Sequence, residues 1–83
     1  MEKSTFTREY RILCRELKAA RVRADMTQGN LAEKLKETQS EISKFERGER
    51  RLDLIQLRRW CRALGIPLAD FVTSFEAALS RKY

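Results

Sequence analysis

Two brief apolar-periodic stretches, LAEKL and QSEISKFE, stand close together with only the turn KET, Lys36 to Thr38, between them. In the first, Leu31, Ala32 and Leu35 recur at helical spacing; in the second, Ile42 and Phe45 do. Thr27 and Thr38 are placed as N-caps for the two helices. TQSE, from Thr38 to Glu41, reads as a capping box, with the Glu41 carboxylate reaching back to the cap. Gly48 suits the left-handed stop after the second helix. The rest of the chain must therefore fold so as to support two short helices joined by a tight turn.

That support also reads as helical. Tyr10, Leu13, Leu17 and Ala20 mark an inward stripe on a helix from about Thr7 to Ala24, whose other face carries Arg8, Arg11, Arg15, Lys18 and Arg23. DLIQ, from Asp53 to Gln56, is a second capping box, followed by an inward face of Leu54, Leu57, Trp60, Cys61 and Leu64 and a stop at Gly65. Pro67 opens a last helix, to about residue 79, presenting Leu68, Phe71, Val72, Phe75 and Leu79. The expected fold is all-α, five helices around one small core. Its 83 residues allow one domain, expected over 7–83, with 1–6 frayed.

Charge narrows the partner. Lys and Arg number 18 against 12 Asp and Glu, and the +6 excess points first to nucleic acid. There is no His, which removes Cys/His zinc sites and His-dependent nucleophilic catalysis. Cys14 and Cys61 each lie on an apolar stripe and read as buried thiols. With no Gly-rich phosphate loop and no carboxylate cluster, an enzyme is not expected, nor a cofactor, a metal or a small-molecule ligand. No apolar run approaches the roughly 18–20 residues of a membrane span, and a cytoplasmic protein without a leader is expected.

The segment from about Leu17 to Phe71 resembles the Cro/phage-repressor, or XRE, type of helix-turn-helix domain, the λ-repressor-like fold. Arg21, Thr27, Gln28, Leu31, Ala32, Gln39, Ser40, Ile42, Ser43, Phe45, Glu46, Gly48, Leu57, Leu64 and Gly65 match its pattern in register. The resemblance implies a sequence-specific regulator of transcription, such as a repressor, that lays the helix starting near Gln39 in the major groove of double-stranded DNA. It gives Gln39, Ser40, Ser43 and Lys44 to base edges or nearby phosphates. Gln28, Arg47, Arg50 and Arg51 go to phosphates, Gln28 also bracing Gln39. Arg21 and Glu46 are implied as an ion pair tying the first helix to the end of the third. Glu41 has two readings, as the partner of the cap or as an acceptor from cytosine N4.

The sequence departs from that pattern at the turn. Lys36 stands where the family has Gly, Glu37 where an apolar residue is common, and Asp25 where Gly often closes the first helix. Either the turn is remodelled or Lys36 bears a left-handed backbone. One recognition helix reads few base pairs, so a homodimer reading an inverted repeat is expected, joined through Ile55, Phe71, Val72, Phe75 and Leu79. The alternative is an antitoxin or other protein-interaction module that uses the last helix against a partner.

Overall fold

Four of the five helices begin where a side chain accepts from a free backbone amide of the first turn. In this computed structural model, which describes residues 7–81, Thr7 caps α1 (Arg8–Arg23) and Thr27 caps α2 (Gln28–Leu35). Thr38 caps α3 (Gln39–Glu46) and Asp53 caps α4 (Leu54–Ala63). Pro67 precedes α5 (Leu68–Ser80), where its fixed φ suits the helix entry. Asn30 and Gln56 complete reciprocal boxes on α2 and α4. The box expected on α3 is only half made: Thr38 Oγ1 accepts from the Glu41 amide at 3.1 Å, and the Glu41 carboxylate goes to cations instead. The frayed residues expected at 1–6 lie outside the described part, as do 82 and 83.

The first four helices end in the same way. A residue at positive φ follows each, and the next amide reaches back five residues: Met26 to Arg21, Glu37 to Ala32, Glu49 to Lys44 and Ile66 to Cys61, at 2.9–3.2 Å. Gly48 and Gly65 take this conformation at φ 81° and 78° without a Cβ penalty, whereas Asp25 and Lys36 take it at 59° and 57°. The turn between α2 and α3 is thus not remodelled, and Lys36 carries the strain. Replacing Lys36 by Gly should raise stability by about 1 kcal/mol and the melting temperature by about 4–8 °C, read by thermal denaturation.

α1 is the central element, packed against both α3 and α5. This explains why it buries Ile12 and Cys14 as well as Tyr10, Leu17 and Ala20. Leu31 and Ala32 from α2, Ile42 and Phe45 from α3, Trp60 and Cys61 from α4, Leu64 at the end of that helix and Phe71 from α5 complete the core. Two apolar assignments change. Leu54, expected inside, is the first residue of α4 and is 64% exposed. Phe71, expected at a subunit interface, is 3% exposed and belongs to the core.

Among the described residues, no single helix is long and apolar enough to cross a membrane.

Candidate nucleic-acid interface

α2 and α3 pack against each other across the Lys36–Thr38 turn, and the start of α3 faces outward. Gln39, Ser40 and Lys44 are exposed, while Ile42 and Phe45 hold the helix down from beneath. An eight-residue helix is too short to persist by itself, so its inward pair sets its position.

A line of polar contacts runs from the core to that outer surface. Arg21 Nε donates to Glu46 Oε2 at 2.6 Å, and Nη2 donates to Oε1 at 3.0 Å. Arg21 Nη1 donates to the Met26 carbonyl at 2.7 Å. The two side chains are only 9% and 4% exposed. Glu46 Oε1 also accepts from Gln28 Nε2 at 2.9 Å, and Gln28 Oε1 accepts from Gln39 Nε2 at 2.9 Å. The chemistry fixes the direction of the whole line. A carboxylate only accepts, so Gln28 must present its NH2 inward and its oxygen outward. Gln39 must then turn an N–H toward Gln28. Its second N–H and its carbonyl oxygen remain, the pair that matches N7 and N6–H of adenine. Gln28, expected to grip phosphate, has both ends of its side chain committed inside the protein. Its backbone amide, in the first turn of α2, is the group left for an anion.

The cations lie differently from the expected row of free phosphate ligands. Arg47 makes a two-pronged pair with Glu49 at 3.0 and 3.1 Å and donates from Nη1 to the Ser43 hydroxyl. Each partner strengthens the charge of the other, so Arg47 is raised and Glu49 lowered from their ordinary pKa values. Ser43 is thereby engaged by Arg47. Arg50 Nη1 lies 3.2 Å from Glu41 and 3.8 Å from Glu37. Lys44 Nζ stands 3.8 Å from Glu41. Arg51 lies over the Tyr10 ring, 4.6 Å from its centre, in a cation–π contact.

Tyr10 positions this loop in a second way. Its hydroxyl donates to the Arg50 carbonyl at 2.5 Å, tying α1 to the segment after α3 across 40 residues of sequence. Helical spacing gives no sign of that tie, nor of Glu37 and Glu49 as partners of Arg50 and Arg47. The alternation of charge in RGER, Arg47 to Arg50, was the available signal for Glu49.

Burial pushes the Tyr10 hydroxyl up to about 12 and the Cys14 and Cys61 thiols up to about 11. The fold therefore favours the protonated forms. Their full contribution is present below the ordinary values of 9.0 for the thiols and 10.0 for the phenol, and it is lost as pH rises through 11 to 12. Melting temperature should fall steadily over that alkaline window, and Tyr10→Phe should flatten the upper part of the fall.

The sequence profile of a family described as helix-turn-helix, HTH_3, matches residues 17–71. Among solved structures, an XRE-family like protein from Pseudomonas syringae pv. tomato str. DC3000 is similar, with 37% identity, 88% of each chain covered and a TM-score of 0.78. The clp gene regulator ClgR from C. glutamicum is 25% identical over 86% of this chain and 92% of its own, with a TM-score of 0.76. A mutant of the restriction-modification controller protein C.Esp1396I shares the fold, with a TM-score of 0.80 and 24% identity over 84% and 93% of the two chains. No curated protein sequence matches significantly.

Proposed function

The chain belongs to the XRE-type helix-turn-helix family, and from that premise we propose that it is a transcriptional regulator that binds double-stranded DNA in a sequence-specific way, with α3 in the major groove. The observation that supports this most is the oriented Gln39 amide. It is exposed at the start of α3, and the Glu46–Gln28 line leaves a donor and an acceptor facing outward. Ser40, Ser43 and Lys44 are the neighbouring groups for base edges or phosphates. Arg47, Arg50 and Arg51 supply the phosphate grip, together with the backbone amide of Gln28. A similar regulator of clp genes, ClgR, supports the role in transcription. A DNA target sets the protein in the cytoplasm, and the reading needs no catalysis, cofactor or small molecule.

A homodimer reading an inverted repeat fits the surface that remains. Ile55 and Val72 are 58% and 38% exposed, with Leu54 beside Ile55, and Phe75 and Leu79 are half-buried on α5. α4 and α5 pack together, so these residues can meet a second copy. To read two half-sites one turn of DNA apart, such a dimer must hold its two α3 helices about 34–36 Å apart.

Gln39→Ala tests the reading directly. Binding to duplexes that differ at single positions should lose its preference at one base pair per half-site, worth about 1–3 kcal/mol, with the melting temperature unchanged. An unaltered preference would remove Gln39 from base reading.

A further inference from the structure

Glu41 is the unusual group on this face. It is a carboxylate on the proposed reading helix, one residue from Ser40 and two from Gln39, where a phosphate-rich partner would repel it. Its side chain is not spent on the helix cap: Thr38 Oγ1 accepts from the Glu41 amide, but the return bond from the Thr38 amide to the Glu41 carboxylate is not made. It is held instead by Arg50 Nη1 at 3.2 Å and Lys44 Nζ at 3.8 Å, with Glu37 3.8 Å from the same Arg50 nitrogen. That nitrogen is buried and makes no well-aligned hydrogen bond, so charge alone retains it. Arg50 is thus restrained but not locked, and a phosphate oxygen offers it the same charge with better geometry.

When Arg50 turns to a phosphate, Glu41 loses its main partner. A carboxylate accepts hydrogen bonds and cannot donate them. Beside guanine O6 and N7 or thymine O4 it would meet only acceptors, and beside adenine the N6 amine comes paired with the N7 acceptor, which faces the second carboxylate oxygen; cytosine offers the N4 amine without a neighbouring acceptor. Building on the regulator reading above, we propose that Glu41 is a specificity-determining residue: the Arg50–Glu41 pair opens at low cost only on duplexes that place a cytosine N4 donor against the freed carboxylate. Glu37 acts differently. It lies in the turn before α3 and restrains Arg50 without following the helix into the groove.

The test compares wild type, Glu41→Gln and Glu37→Gln on one panel: the selected site, all single-base variants of it, and random duplex. Wild type should lose about tenfold in affinity when one cytosine per half-site is replaced by guanine or thymine. Glu41→Gln should bind the replaced sites nearly as well as the original and should gain on random duplex. Glu37→Gln should raise affinity for every duplex by a similar factor and leave the base profile intact. Both variants should show a steeper dependence on salt, by up to about one counterion, because Arg50 reaches phosphate without a competing carboxylate. A Glu41→Gln profile that superimposes on that of wild type, or that rises uniformly like that of Glu37→Gln, would overturn the assignment. Absence of duplex binding by wild type would instead overturn the regulator reading beneath it.

Discussion

Glu46→Ala should unfold the protein far more readily than a change at any exposed position. It strands the Arg21 guanidinium, 9% exposed, without the two oxygens that receive it. Losing one member of such a pair costs about 3–5 kcal/mol, against a total of only about 4–12 kcal/mol for a domain of this length. Thermal denaturation should show a fall of at least about 12 °C. A melting temperature equal to wild type would mean that the pair contributes nothing. The double change Arg21→Met with Glu46→Leu separates stability from recognition. Apolar side chains of similar size can replace a buried pair at little cost, so much of the stability should return. Gln28 would still lack its acceptor, and the orientation of Gln39 would be lost. That variant should be folded and poor at choosing among sequences.

Phe45→Ala should be as damaging by another route. Phe45 is fully buried and packs edge-on against Tyr10 and Trp60, with ring centres 5.9 and 4.7 Å away. Removing the ring leaves a cavity among α1, α3 and α4, a loss of about 3–5 kcal/mol. Only Ile42 would then anchor α3 from beneath. The urea midpoint should drop sharply at unchanged slope, whereas Ser40→Ala on the outer face should shift stability by no more than about 0.5 kcal/mol. A small shift for Phe45→Ala would mean that the site collapses to fill the space.

Much of the fold was legible because its signals are local. Thr27, Thr38 and Asp53 each sit one residue before a helix, and Gly48 and Gly65 each follow one. The inward residues of α2 and α3 were legible from spacing alone. What escaped depends on contacts between distant segments. Ile12 is buried because α1 lies between α3 and α5, which a single amphipathic stripe does not express. Leu54 follows the α4 period yet lies at the exposed end of that helix. On α5, Phe71 and the small Ala78 turn inward and Val72 turns out, so the apolar stripe is divided between core and surface. At the candidate site, the matching residues Arg21, Gln28, Gln39 and Glu46 could be named in advance, but not the direction of the hydrogen bonds through them. The partners of Arg50 could not be read, because Glu37, Glu41 and Arg50 come together only when the turn and the loop after α3 fold onto one another.

In the proposed function, the outer surface of α3 reads DNA. Selection of bound sequences from a pool of random duplexes tests it most directly. The selected pool should be enriched in one short motif, repeated with two-fold symmetry about one helical turn apart, and should lose selectivity at a single position of each half when Gln39 is changed to Ala. Recovery of a pool no different from the input, at low salt and with folded protein, would contradict it.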